Sequence, residues 1–388
     1  MDFRFSDQQL EYQRLARRLT EEHFMPRAAK IDELGEYPWD NVKVLVDSGL
    51  AGLNLPAEYG GQGADLATVC TVFEEVARGC ASTCAILNAY CLGSYPIVLA
   101  GTEDQKERYL RPAAERGKAI SLAMSERGAG SDAAALQTTA VREGDEYVLN
   151  GEKIWIGNGG PSAVYIVMAK TDPAQKARGI SAFIVDKETP GFSITRYEDK
   201  MGIRGTTTSN AILDNVRVPA SNLLGREGKG FLLAMQTLDI ARPTVAAQAI
   251  GIAQAAYELA AQWAAKRVQF DEPIIKKQAI AFKLADMSME IDAARLLMYQ
   301  AAVAFDQGTK RITRHAAMSK LYASEVANRV VNDAVQIHGG YGYIKDYTVE
   351  RLYRDQRVTE IYEGTSEIQR LVLSAYVEQD FMENEGEE

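Results

Sequence analysis

Between Lys118 and Leu224 the chain breaks into short runs rich in β-branched and aromatic residues: "AISLAM", "YVLN", "KIWI", "VYIVMAK", "ISAFIV" and "AILDNVRV". Asn150-Gly151, between the second and third of these, is a two-residue hairpin signal. Strands this short, interrupted this often, predict a small barrel or sandwich. Both flanks have helical texture. Ser6 and Gln9 have the spacing of a capping box, with Phe5 and Leu10 as its staple, and Thr102 with Gln105 repeats that start signal. Between them "LATVCTVFEEVARGCASTCAILNAYCLG" is apolar enough for largely buried helix. After "GREGKGF", which reads as a linker, apolar residues such as Leu284, Met287 and Ile291 recur at helical spacing. Helices are expected over about 230 to 265, 273 to 307 and 311 to 337, with a shorter one after Ser366 completing a four-helix bundle. The acidic tail "EQDFMENEGEE" is expected to fray. The fold class is therefore α+β in three parts: an α-helical domain 1-117, a central β domain 118-226 and a four-helix bundle 227-388.

Composition narrows the function. A chain of 388 residues, 46% apolar and 25% charged, is a soluble globular protein with room for a large core. A net charge of -10 argues against nucleic acid as partner. The start "MDFRFSDQQL" lacks a secretory pattern, and Gln248, Gln254 and Glu258 interrupt the apolar stretch Val245 to Ala265, so no membrane span is expected. The four cysteines all fall between Cys70 and Cys91. Cys80, Cys84 and Cys91 can share a helical face, but apolar neighbours and the absence of nearby histidine make them a core stripe, in a reducing, cytoplasmic setting. His23, His315 and His338 are far apart and form no metal motif.

Several segments carry two readings each. "SERGAGSD" (Ser125 to Asp132) offers backbone N–H groups to an anion or a polar ring edge, or is an ordinary polar turn. "VQIHGGYGYI" permits close approach of a ligand, or is a helix C-cap at Gly339 and Gly340. Arg267 in "KRVQFDEPI" holds a phosphate or is solvated. Asp239 and Arg242 in "LDIAR" form a local ion pair or line a pocket. Glu363, in "TEIYEGTSEIQR", precedes Gly364 where a helix does not easily run through. It is either a surface carboxylate near a helix start or a base pointing into a cleft. The helix after it is expected to begin at Thr365 or Ser366, with Ser366 and Gln369 in capping-box spacing.

Taken in order, "LPAEYGG", "AMSERGAGSD", "YVLNGEKIWI", "KMGIRGTTT", "AMQTLDIAR", "RVQFDEP", "FKLADM", "QIHGGYGY" and "EIYEGTSEIQRLVL" resemble the flavin-dependent acyl-CoA dehydrogenase family over essentially the whole chain. The similarity is greatest to its short-chain and butyryl-type members. The resemblance implies FAD, an acyl-CoA thioester substrate, a homotetramer (a dimer of dimers) with flavin sites shared between subunits, and an electron-transferring flavoprotein as acceptor. It implies that Glu363 removes the α-proton while the β-hydride passes to flavin N5, giving a trans-2-enoyl-CoA. The alternative position for the base, on the "LDIAR" helix, is Ala241 here. Carried over residue by residue, Leu122, Met124, Ser125, Gly130, Ser131, Trp155, Ile156 and Gly157 line the flavin ring. Arg267, Gln269, Gln278, Gln336, Ile337, Gly339 and Gly340 reach its phosphates and adenosine, partly from a neighbouring subunit, and Thr365, Ser366 and Glu367 complete the pocket. Ser131, Asp239, Arg242 and Gly364 contact acyl-CoA.

Three positions depart from the family pattern: Arg127 stands for its usual Pro, Gly157 for Thr or Ser, and Asp271-Glu272 for Gly-Lys. Arg127 is expected to face solvent. Gly157 removes a hydroxyl beside the flavin edge and opens space, which suits a bulkier, branched or cyclic acyl group. The absence of a basic residue in "CASTCAILNAYCLG" disfavours a dicarboxylic substrate. The competing readings are an enoyl-CoA reductase, an acyl-CoA oxidase and a non-catalytic acyl-CoA-binding subunit.

Overall fold

The computed structural model describes residues 4–309 and 311–382. Six helices come first: α1 (Asp7–Leu19), α2 (Met25–Leu34), α3 (Trp39–Asp47), α4 (Leu66–Gly79), α5 (Ala81–Ala100) and α6 (Glu103–Arg116). Both expected capping boxes form. Ser6 Oγ accepts from the Gln9 N–H while Gln9 Oε1 accepts from the Ser6 N–H, and Thr102 and Gln105 do the same at α6. Gln105 also donates through Nε2 to the Ser221 and Leu223 carbonyls, so one cap residue ties α6 to the β region. The helix α5 is long and apolar enough to cross a membrane, but 72% of that window is buried within the fold. All four cysteines are free and buried. Among the described residues no group of His, Cys, Asp or Glu is placed to hold a metal.

Eight strands follow: β1 (Ile120–Ala123), β2 (Thr139–Glu143), β3 (Glu146–Gly157), β4 (Val164–Lys170), β5 (Ile180–Asp186), β6 (Phe192–Tyr197), β7 (Thr208–Pro219) and β8 (Leu223–Leu224). Their order is β6-β7-β3-β2-β4-β5-β8, with β1 paired to β4. A single register position, Thr139 with Lys170, joins β2 to β4, so the sheet folds there into two layers. Tyr165, Val167 and Ala169 of β4 pack against Leu149, Leu213 and Val216 in one core, while Ile166 and Met168 join a second core with Ile97, Leu110 and Leu233. Because β4 is buried on both faces, its sequence is a continuous apolar run rather than an alternation.

The hairpin expected at Asn150-Gly151 does not exist. The chain runs through that pair as one strand, and the register against β7 shifts between Leu149 and Gly151. A Cβ on Gly151 would lie 2.4 Å from Thr138 Oγ1, so the glycine allows a bulge to pass close to its neighbour. The actual turn between β2 and β3 is Gly144-Asp145, with Gly144 at φ 63°.

The C-terminal region contains α7 (Gly230–Lys266), the short strands β9 (Val268–Gln269) and β10 (Glu272–Pro273), then α8 (Gln278–Asp306), α9 (Thr313–His338), α10 (Thr348–Gln356) and α11 (Ser366–Met382). Helix α8 therefore begins at Gln278, not near 273. The β9–β10 pair turns through Phe270 and Asp271, both at positive φ, and a short 3-10 turn follows. Helices α7, α8 and α9 pack on one another, and α11 lies against α9. Helix α10 is an element the sequence reading did not contain. The acidic tail is helical through Met382, and the rest of it lies outside the described residues. One apolar core runs from Ala16 and Phe73 through Ile250 and Ile291 to Leu352, so the N-terminal helices and the bundle share an interior.

Candidate active site

Glu363 sits where the chain leaves a 3-10 turn (Arg357–Glu360) and before α11 begins. Its φ is 53° and that of Gly364 is 93°. A left-handed conformation costs a non-glycine residue about 1–2 kcal/mol, so the loop must be held by its surroundings. Lys320 Nζ donates to the Gly364 carbonyl at 2.7 Å, and Gln369 Nε2 donates to the carbonyls of Glu363 and Gly364 at 3.2 and 3.0 Å. The helix cap is Thr365, whose Oγ1 accepts from the Ile368 N–H. The Ser366–Gln369 capping box expected from spacing is absent, because Gln369 serves the two loop carbonyls instead.

The side chain of Glu363 turns towards the interior. Asn88 Nδ2 on α5 donates to Oε1 at 2.9 Å, and Asn88 Oδ1 accepts from Thr244 Oγ1 of α7 at 2.9 Å. The other oxygen, Oε2, is enclosed and has no partner. The residue as a whole keeps partial exposure although Oε2 is shut in. Burial pushes the carboxyl up to about 7, against the Asn88 hydrogen bond and the charges of Lys320 and Arg242. Lys320 is itself fully buried, and that burial brings its ammonium down to about 8. Arg242 pairs with Asp239 at 2.8 Å, Thr313 Oγ1 donates to the same carboxylate, and Arg242 Nε is buried without a partner. The ion-pair reading of "LDIAR" therefore holds, and the pair lies close enough to Glu363 for Arg242 to act on it.

A second wall comes from the sheet. The Asn158 amide donates to the Ile86 carbonyl of α5, and a Cβ on Gly157 would lie 3.6 Å from Ala89 Cβ with nothing else within 4 Å. Gly157 and Asn158, at the end of the Trp155–Gly157 stretch, thus meet α5 beside Asn88. Trp155 has φ 56° and its side chain is 61% exposed, Ile156 is buried, and Gly157 is exposed. Leu122, Met124 and Ser125 lead from β1 into the glycine loop, where Gly130 and Ser131 are exposed. The loop is fastened from beneath by Lys153, fully buried, whose Nζ donates to Glu126 Oε1 at 2.6 Å and to the Met124 carbonyl at 3.1 Å. Arg127 faces solvent, as expected, and pairs with Glu152 at 3.2 Å.

The remaining residues of the expected cofactor set lie elsewhere. Arg267, Gln269, Ile337, Gly339 and Gly340 line an open groove of about 460 Å³, where the Arg267 guanidinium lies over the Tyr341 ring. Gln278 opens α8, and Gln336 precedes the groove at the end of α9. Lys320 and Ile337 are on the same helix, which at 1.5 Å per residue places the groove roughly 25 Å from the Glu363 loop. One chain therefore brings Glu363, Gly364, Arg242 and Asp239 together with Trp155–Gly157, but not with the Arg267 groove. Thr365, Ser366 and Glu367 stay with Glu363, and Ser366 Oγ is buried and unpartnered.

Sequence reasoning missed Asn88, Thr244, Lys320 and Lys153, held Glu126 only as part of the glycine loop, and gave Gln369 a capping role instead of its bonds to the Glu363 and Gly364 carbonyls. A signal existed for two of them. Asn88 interrupts the apolar run "AILNAYCLG", and Lys320 sits at helical spacing with the buried residues Ala316, Ala317 and Ala323.

Comparison with known proteins identifies the family. The family descriptions "Acyl-CoA dehydrogenase, N-terminal domain", "middle domain" and "C-terminal domain" match residues 6–117, 121–216 and 228–377. The chain is 48% identical over 373 residues to a 3-(aryl)acrylate reductase of Clostridium sporogenes, spanning 96% of this chain and 98% of the relative. It matches the butyryl-CoA dehydrogenase structure from Megasphaera elsdenii with TM-score 0.95 and 43% identity, covering 97% of this chain and 100% of that one. It also matches a chain in a structure described as the electron transferring flavoprotein of Acidaminococcus fermentans, with TM-score 0.95, 42% identity and coverages of 97% and 99%. The chain belongs to the acyl-CoA dehydrogenase family and is an FAD-dependent oxidoreductase.

Proposed function

We propose that this enzyme converts an acyl-CoA thioester to its trans-2-enoyl-CoA, with Glu363 as the base that takes the α-proton. The observation that carries this reading is the carboxyl itself: Oε2 is enclosed, unpartnered and held on a strained loop. A carboxyl at about 7 is half ionised at neutral pH, which suits a base for a weakly acidic C–H. No acceptor among the described residues takes the Glu363 N–H, so it remains available to the thioester carbonyl as enolate charge develops. The residues fit the cofactor, since Ser366 Oγ is buried without a protein partner and the open groove presents the Arg267 guanidinium. Bound FAD supplies the acceptor for the β-hydride. We assign Leu122–Ser131, Trp155–Gly157 and Thr365–Glu367 to the flavin, and Ser131, Asp239, Arg242 and Gly364 to acyl-CoA. The three parts of the chain, 1-117, 118-226 and 227-388, each contribute to the site.

A second reading, reduction of an enoyl thioester, is favoured by the reductase of Clostridium sporogenes. The same carboxyl serves both directions, because a group near 7 is as often an acid as a base at neutral pH. Anaerobic titration of the FAD-loaded enzyme with straight, branched and aryl-substituted acyl-CoAs, followed in the visible spectrum, tests the proposal. Bleaching by one class supports dehydrogenation. A flavin that stays oxidised with every thioester, yet is reoxidised by enoyl-CoA after chemical reduction, supports the reductase. A flavin inert to both leaves only an acyl-CoA-binding scaffold. We take an electron-transferring flavoprotein as the acceptor on the strength of the Acidaminococcus match, and a cytoplasmic setting agrees with four free cysteines.

Gly157 opposite Ala89 leaves room for a branched, cyclic or aryl acyl group. Gly157→Thr is expected to lower kcat/KM at least about tenfold on such thioesters, and little on butyryl-CoA, since one or two carbons of misfit are worth that much. Equal losses on both would remove Gly157 from the account of specificity.

The distance between the two half-sites fits a homotetramer in which another copy brings its groove to this flavin. Phe282, Met289, Leu296 and Val303 recur every seven residues on α8 and are all 40% exposed or more, the spacing of a helix-packing seam. Met289→Glu with Leu296→Glu is expected to yield smaller species of low flavin content in sedimentation velocity. A tetramer that survives both changes would place the interface elsewhere.

A further inference from the structure

Nothing in the reaction as outlined says which oxygen of the Glu363 carboxyl exchanges the proton. We propose that Asn88 is a positioning residue that decides it: its amide ties Oε1, and Oε2 takes up and releases the proton. The proposal rests on the reading of Glu363 as the base.

Asn88 is 3% exposed, and both ends of its amide are engaged. Oδ1 accepts from Thr244 Oγ1 at 2.9 Å, and Nδ2 donates to Glu363 Oε1 at 2.9 Å. This orientation follows from the chemistry of the partners. An ionised carboxylate has no hydrogen to give, so the reversed amide would set oxygen against oxygen. The single hydroxyl hydrogen of Thr244 is shared between Asn88 Oδ1 and the Ala241 carbonyl, 2.7 Å away one turn back on α7. An amide NH₂ group cannot accept. Oε1 is therefore held as an acceptor from the amide, and a carbonyl oxygen accepts better than a hydroxyl, so a proton on the carboxyl is favoured at Oε2. That oxygen is enclosed and free of protein partners.

Asn88 differs from the other groups around the carboxyl. Lys320 of α9 and Arg242 of α7, the latter already paired with Asp239, act on Glu363 through their charge. Tyr95 of α5 and Tyr362 of the same loop face it as buried phenols, with Tyr362 donating to Gln248. Asn88 is the partner that bonds one oxygen directly. A donor to the ionised form favours that form, so its removal should make the carboxyl harder to ionise and leave its two oxygens equivalent.

The test is an infrared difference titration of the FAD-loaded enzyme without substrate, the Glu363 carboxyl band being identified by its loss in Glu363→Gln. In the parent protein the band is expected to titrate near 7. Asn88→Leu, close in size, should move it up by at least about one unit, a tenfold change in the ionisation equilibrium. The pH profile of kcat/KM should shift with it, and kcat should fall more than KM rises. Thr244→Val should give a smaller shift in the same direction, and Thr244→Ser none. Should Asn88→Leu fail to fold, the Thr244 pair alone decides, because a purely structural role would lower thermal stability without moving the titration. A band that stays in place in a folded Asn88→Leu or Thr244→Val enzyme overturns the proposal. Because the titration needs no turnover, it is separable from the function: a shifted band in an enzyme that oxidises no thioester upholds the Asn88 assignment and defeats the dehydrogenase reading.

Discussion

Glu363→Gln is expected to lower turnover of the best acyl-CoA by at least about 10³-fold, with little change in thioester binding, because a positioned general base contributes 10²–10⁴ and nothing else replaces it here. The alternative site for a base is Ala241, and Lys320, the amine whose charge acts on Glu363, is committed to the Gly364 carbonyl. The same substitution has a second signature. The folded carboxyl is raised from 4.5 to about 7 by burial, so the native state holds a proton that the unfolded chain has already lost. Its contribution to stability is present below about 4.5 and is lost as pH rises through about 7. Glutamine removes that loss, and the variant should be more stable than the parent at pH 8 by about 1–3 kcal/mol, at roughly 1.4 kcal/mol per unit, with the gap closing towards pH 5. Denaturant midpoints at the two pH values would show it. An inactive variant with no stability gain would mean that the carboxyl is not buried in its charged form; a gain without loss of activity would mean that the base is elsewhere.

How far the sequence reaches depends on whether a feature is local. The two capping boxes and the free, buried cysteines were legible because each depends on neighbours within a few residues. Glu363 stood out for the same reason, the Glu-Gly pair marking a break in helix. The bulge at Gly151 was misread because Asn-Gly suits a hairpin, whereas its conformation here answers to Thr138 on the adjacent strand. Helix α10 was missed because it buries few apolar side chains, chiefly Val349 and Leu352. Its hold is distant: Arg354 forks onto Asp32 at 2.9 and 2.6 Å, and Asp355 accepts from the Ile203 N–H at 2.6 Å. Those contacts join α2, the loop before β7 and the segment that leads to Glu363, and no local pattern reports them. Asn88 and Lys320 break apolar patterns that the sequence shows, but their roles, like that of Thr244, exist only when α5, α7 and α9 are brought together around one carboxyl.

Lys153→Met is expected to destabilise the enzyme by about 3 kcal/mol, the lower end for leaving one partner of a buried pair uncompensated. Lys153 is fully buried and its ammonium is brought down to about 8 by that burial, against the pull of Glu126. It still carries its charge at neutral pH, in keeping with acceptors at 2.6 and 3.1 Å. Glu126 is not left bare by the change. It also accepts from the backbone N–H groups of Gln137 and Thr138 and from the Thr138 hydroxyl, which is why the lower end applies. Adding Glu126→Gln should recover part of the loss, because the orphaned charge is then gone and an oxygen in the place of Oε1 keeps the Thr138 N–H and hydroxyl, while the Gln137 N–H loses the acceptor it has in Oε2. The position matters for function as well. Lys153 and Glu126 fasten the glycine loop to β3 two residues before Trp155, so the pair sets the spacing of the two segments assigned to the flavin ring. Flavin content should fall in Lys153→Met and return only partly in the double variant, since neutral partners restore stability without restoring the tether to the Met124 carbonyl. Chemical denaturation and the visible spectrum of the four proteins in this cycle separate the two effects. Parallel recovery of stability and flavin would show that Lys153 serves the fold alone.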